Sequence, residues 1–141
     1  MNIVITGVAG LVGANFCEYI LNNKHSLGID NVFGIDDLSG GYIENLLINN
    51  PNFHFIKADL SNKDDQKLVE QVFQQNKITY IFHYSAYAAE GLSPFIRQFN
   101  YISNIIPTTF LINMAIKYNI RRFIFTSSMA TYGRNTTPFT E

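Results

Sequence analysis

A chain of 141 residues that is 47% hydrophobic is the size of one domain and apolar enough to bury a single core. Its 10 basic and 11 acidic residues nearly cancel, which leaves no strong field to attract nucleic acid or an anionic membrane. No apolar run reaches membrane-span length, no basic and apolar leader precedes the first strand, and the single cysteine, Cys17, has no disulfide partner. A cytoplasmic globular protein is the expectation.

In chain order, an apolar strand from Ile3 to Ile5 runs directly into Thr6-Gly7-Val8-Ala9-Gly10-Leu11-Val12-Gly13, and a helix follows from Leu11 to Leu21. This is the build of a dinucleotide phosphate site. Gly7 can take a left-handed turn, Gly10 puts no side chain between backbone and pyrophosphate, and Gly13 lets the helix pack close to the sheet. The phosphates would lie at the positive end of the helix, beside the amides of Gly10, Leu11, Val12 and Gly13. Cys17 falls within the helix as a small apolar residue.

The region from Asn22 to Leu27 reads as a loop, and the second strand spans Val32 to Ile35. Asp36 ends it, followed by Asp37-Leu38-Ser39-Gly40-Gly41, a polar turn where an adenosine ribose would lie. A carboxylate at Asp36 accepts hydrogen bonds from ribose hydroxyls and repels a 2′-phosphate, which favours NAD over NADP. A helix is expected over Ile43 to Ile48, a loop at Pro51, and a third strand from His54 to Lys57. Asp59-Leu60 comes next, with Ser61 as N-cap of a helix from Asp64 to Gln74, whose Asp64 and Asp65 complement its dipole.

The fourth strand, Tyr80 to Phe82, is followed by His83-Tyr84-Ser85-Ala86-Tyr87-Ala88, where small side chains let the backbone approach a cofactor. A long helical pattern covers Phe99 to Tyr118, with a kink, a break or a new helix start expected at Pro107. The fifth strand is Phe123 to Phe125. Alternating strands and helices predict an α/β, Rossmann-type doubly wound parallel sheet of order 3-2-1-4-5, with the ligand at the switch point above strands 1 and 4. No metal site is expected, because His25, His54 and His83 lack Cys or carboxylate neighbours at ligand spacing. His83 itself reads as structural.

Together, Thr6-Gly7-x-x-Gly10-x-x-Gly13, Asp36-Asp37-Leu38-Ser39, Asp59-Leu60, His83-x-Ser85-Ala86-x-Ala88 and Phe125-Thr126-Ser127-Ser128-x-x-x-Tyr132-Gly133 resemble the extended short-chain dehydrogenases. More narrowly, the chain resembles the NAD-dependent epimerase/dehydratase group, typified by UDP-glucose 4-epimerase. The resemblance implies bound NAD, with Asp59 and Leu60 at the adenine and Ser85, Ala86, Ala88, Asn104 and Thr126 among the cofactor contacts. From the residues alone, Asp59 serves equally well as a loop residue capping the next helix. Ser128 matches the serine that hydrogen-bonds the reacting sugar hydroxyl, with Ser127 as runner-up. Pro107 stands where the family usually has glycine.

In that group a tyrosine phenolate takes the hydroxyl proton, a lysine lowers its pKa, and nicotinamide accepts the hydride. The required Tyr-x-x-x-Lys does not occur in the 141 residues; Tyr118 precedes Arg122, which has a fixed charge and different donor geometry. The chain is therefore expected to be an N-terminal, cofactor-binding part, residues 1–141, lacking the C-terminal strands and the substrate subdomain, and inactive alone. A nucleotide-sugar substrate would need that second half. The apolar edge at the fifth strand would invite pairing with another chain, a second copy included. Alternative readings are a nucleotide-sugar dehydratase or another extended short-chain dehydrogenase, and a non-catalytic NAD-binding or partner-binding module. Met129, where a dehydratase would place glutamate beside the serine, favours the epimerase.

Overall fold

The computed structural model describes residues 1–134. Five strands, β1 (Asn2–Thr6), β2 (Asn31–Asp36), β3 (Phe53–Lys57), β4 (Ile78–His83) and β5 (Arg122–Phe125), form one parallel sheet of order β3-β2-β1-β4-β5. This is the predicted α/β Rossmann-type order. In register, Ile5 of β1 lies between Gly34 of β2 and Phe82 of β4.

Side chains alternate across a strand, so a sheet covered on both faces needs apolar residues at successive positions. Ile3, Ile5 and Val32 face one core with Cys17, Ile20 and Leu21 of helix α1 (Leu11–Asn22). Val4, Phe33, Ile35 and Ile81 face the other, beneath Val69 and Phe73 of α3 (Lys63–Gln75) and Leu111 and Met114 of α5 (Ile106–Lys117). Each fully buried aliphatic side chain contributes roughly 1.5–3 kcal/mol, enough for these strands to hold the sheet. Burial also pushes the Cys17 thiol up to about 12, which keeps it protonated and unreactive.

Three local expectations are corrected. The Asn22 to Leu27 loop contains a short helix, α2 (Lys24–Leu27), closed by Gly28 in the left-handed region at φ 65°. The helix expected over Ile43 to Ile48 is only a 3₁₀ turn, Ile43–Asn45, because Ile43, Leu47 and Ile48 are exposed and leave no apolar stripe to bury. The N-cap of α3 is Asn62, whose Oδ1 accepts from the amides of Asp64 at 2.8 Å and Asp65 at 3.3 Å. Ser61 is not the cap, since its hydroxyl donates to Asp59 Oδ1 at 2.7 Å.

The long helical pattern resolves into α4 (Arg97–Asn100), a π-helical turn at Tyr101–Ile105, and α5 with Pro107 in its first turn. Pro107 has no amide to offer the carbonyl one turn back, and the wider π turn sits where that bond is missing. A helix start at Pro107 is thus observed without a break in the chain's path. β5 pairs only with β4 among the described residues, and Phe125 is exposed.

Asn62→Ala should cost about 1 kcal/mol of stability in urea denaturation, whereas Ser61→Ala should cost clearly less. A larger loss at Ser61 would return the cap to that residue.

Candidate functional site

A cleft of about 530 Å³ opens at the carboxyl ends of the strands, where the strand order changes sense between β1 and β4. Gly7 and Gly10 line it from the turn after β1; Asp36, Asp37 and Ser39 from the turn after β2; Asp59 and Leu60 from the loop after β3; and Ser85 and Ala86 from the loop after β4. Residues from four separated segments thus meet in one space.

The glycines differ in what requires them. Gly7 has φ 66°, and a Cβ on it would lie 2.7 Å from the Ser85 amide nitrogen. A Cβ on Gly13 would lie 2.1 Å from the Gly7 carbonyl oxygen, so α1 can sit this close only without a side chain there. At Gly10 the nearest atom would be Gly7 O at 3.4 Å, an ordinary contact. The protein's own packing leaves room at Gly10, and the space a side chain would take is the cleft that Gly10 lines. Gly10 also caps α1 with no side-chain oxygen, and the first turn holds no acid, so the positive end of the helix is uncompensated.

Asp36 is nearly buried and joined to the glycine turn. Its Oδ2 accepts from the Ala9 amide at 2.9 Å and its Oδ1 from the Leu38 amide at 2.8 Å. Each oxygen keeps a further acceptor site. Asp37 Oδ1 accepts from the Ser39 amide at 2.8 Å, shaping the turn. Asp59 lines the cleft, yet its Oδ1 is engaged by the amide and hydroxyl of Ser61, and its amide donates to Asp65 Oδ2 at 2.8 Å.

His83 lies beneath the cleft as a neutral link. Thr108 Oγ1 donates to the Asn104 carbonyl at 2.6 Å, so it accepts from His83 Nε2–H at 2.9 Å. The unprotonated Nδ1 then accepts from Thr6 Oγ1 at 2.7 Å, and Thr6 accepts from the Ser85 amide at 3.3 Å. Burial pushes the His83 pKa down to about 4. The network ties β1 and β4 to the start of α5.

Other predicted residues stand off the wall. Leu11 and Val12 are exposed on the first turn of α1 and outside the cleft lining, and Gly13 packs against Gly7. Asn104 sits in the π turn and grips the backbone of Tyr87, donating to its carbonyl at 3.1 Å and accepting from its amide at 2.7 Å. It therefore positions the loop that carries Ala88. Thr126 follows β5, its amide 3.4 Å from the His83 carbonyl, and Ser128 Oγ accepts from the Ala130 amide at 3.2 Å; both are exposed and outside the cleft lining.

The cleft also takes Tyr84, Tyr87, Phe99 and Ile102, which sequence reasoning did not assign to it. Tyr87 and Phe99 meet edge to face with centroids 4.8 Å apart. Their separation in sequence follows neither helix nor strand period, so no local signal joined them. Among the described residues no helix is long and apolar enough to cross a membrane.

The fold and cleft define a Rossmann-type dinucleotide-binding domain. The profile of the NAD dependent epimerase/dehydratase family matches residues 3–141, and the chain belongs to that family. A UDP-glucose 4-epimerase of Bacillus subtilis is 32% identical over all of this chain and 41% of its own length. The crystal structure of a Thermotoga maritima UDP-glucose 4-epimerase with UDP-glucose matches with TM-score 0.82 and 32% identity, over 99% of this chain and 42% of that one. A dTDP-glucose 4,6-dehydratase of Bacillus anthracis in complex with NAD matches with TM-score 0.81 and 27% identity, over all of this chain and 42% of that one. The chain thus spans about two fifths of the length of these relatives. NAD is the family's cofactor, and the residues present fit it: the space at Gly10, the open helix end and the free acceptor sites of Asp36 suit phosphates and ribose hydroxyls.

Because the folded state holds His83 neutral, the unfolded chain binds a proton that the fold excludes between its ordinary value of 6.5 and about 4. Stability should therefore fall as pH drops through that window, by roughly 3 kcal/mol in total. Denaturation across this range measures it. In His83→Gln, which keeps a donor for Thr108 but does not titrate, that share of the loss should vanish.

Proposed function

We propose that this chain is the NAD-binding part of a nucleotide-sugar epimerase of the UDP-glucose 4-epimerase type. The observation that carries the reading is the cleft at the switch point, with Gly10 leaving open a space that the fold does not need, in a chain 32% identical to UDP-glucose 4-epimerases. When bound, NAD supplies a reversible hydride acceptor for the sugar carbon.

The chain's own residues bind and orient. Gly7, Gly10 and the amides opening α1 cradle the diphosphate, and Asp36 accepts from the adenosine ribose hydroxyls. Its negative charge disfavours a 2′-phosphate and so selects NAD over NADP. Ser39, Asp59 and Leu60 border the adenosine end; Ser85, Ala86 and Ala88 border the nicotinamide end, held by Asn104. Ser128 Oγ, whose acceptor side is used by Ala130, keeps its O–H for a reacting sugar hydroxyl, with Thr126 just before it. Proton removal is left to residues outside these 141, since no Tyr-x-x-x-Lys occurs among them, so the isolated chain is not expected to epimerise. The outer edge of β5 would pair with strands of the remaining protein or with a second copy.

The near-equal likeness to a dehydratase structure supports a second reading, a nucleotide-sugar dehydratase. Met129 directly after Ser128, in place of an acid, weighs for the epimerase.

NAD at about 100 times its Kd should stabilise the protein by about 2.7 kcal/mol, read as a raised Tm. Gly10→Val should fold yet lose the shift, and Asp36→Ala should narrow the preference for NAD over NADP. A Gly10→Val protein that binds NAD normally would sink the assignment.

A further inference from the structure

The segment after β2 does more than present Asp36. It reaches back to the glycine turn and holds both peptide groups that flank the Ala9 Cα. Asp36 Oδ2 takes the Ala9 N–H at 2.9 Å, while the Ala9 carbonyl accepts from Asn45 Nδ2 at 2.9 Å and from the Tyr42 amide at 3.3 Å. Gly41 lets the segment lie this close, because a Cβ on it would come within 2.6 Å of the Ala9 carbonyl carbon.

The Ala9 carbonyl shares its peptide plane with the Gly10 amide, which donates to Gly7 O at 3.2 Å. A rotation of that plane would break the Gly10 bond, swing the carbonyl toward Gly7 O and loosen the turn from which α1 starts. Ala9 is fully buried, so its carbonyl has no ready water to replace the Asn45 donor. We propose that Asn45 is a positioning residue for the diphosphate: it fixes the peptide between Ala9 and Gly10, and with it the turn that aims the open amides of α1 at the cleft. The diphosphate part of this rests on the NAD reading above; the bracing of the turn does not.

Two measurements separate them. Amide hydrogen exchange of Ala9 and Gly10, whose N–H groups are held by Asp36 and by the Gly7 carbonyl, should quicken in ligand-free Asn45→Ala. It should not quicken in Asn50→Ala, which loses only a bond to the Asn52 amide in the same segment. Titration with ADP and adenosine should then show ADP weakened by up to about tenfold in Asn45→Ala with adenosine unchanged. Asn45→Gln, which keeps the donor, should recover part of the ADP affinity. Unchanged exchange in Asn45→Ala overturns the brace whatever binds. Faster exchange with ADP and adenosine weakened equally overturns the diphosphate role. Faster exchange in a protein that binds neither ADP nor NAD supports the brace and removes the NAD reading instead.

Discussion

A methyl group on Gly13 would sit 2.1 Å from the Gly7 carbonyl oxygen, and much of the structure depends on that closeness. It drives the first turn of α1 against the end of β1, which aims the helix axis at the strand ends. Cys17, Ile20 and Leu21 then fall one and two turns later onto Ile3 and Ile5. A wider separation would shift α1 outward, open the core on that face and move the uncompensated helix end away from the cleft. Packing and binding are set by one contact.

Around this contact the cleft floor is stitched on both sides of β1 by two buried polar groups. On one side Asp36 ties the end of β2 to the glycine turn through Ala9. On the other, His83 ties β4 to Thr6 and, through Thr108, to the helix that carries Asn104. Buried polar groups are costly unless satisfied, and each of these is satisfied by a residue distant in sequence. The strand ends are therefore held in fixed relation without a ligand, and the cleft exists before anything enters it.

The strands were legible because a parallel sheet covered on both faces requires continuous apolar runs, and Ile3 to Ile5 and Val32 to Ile35 are such runs. The glycine turn was legible because its three glycines sit at a strand-to-helix junction. What was not legible depended on side chains choosing between near-equal partners. Ser61 and Asn62 can both cap, and Asp59 captures the serine. Ile43 to Ile48 is apolar enough for a helix, but tertiary bonds to Ala9 claim Asn45 and Tyr42, and only Leu46 finds the core. Tyr87 and Phe99 meet through a loop whose path no periodicity describes. Asn104 lay in the right region, yet its grip on the Tyr87 backbone belongs to the π turn and not to an α-helical register.

That turn acts as a phase shifter. Each residue of an α-helix advances about 100° around the axis, so the extra residue taken up by Tyr101–Ile105 rotates everything before it relative to everything after. Phe99 before the turn, Ile102 within it and Pro107 just after it line the cleft, while Leu111 and Met114 further along face the core. A single helix thereby serves two masters that a regular screw would not align. Trimming one residue from the turn would give a more ordinary helix, but with its cleft face and its core face out of step.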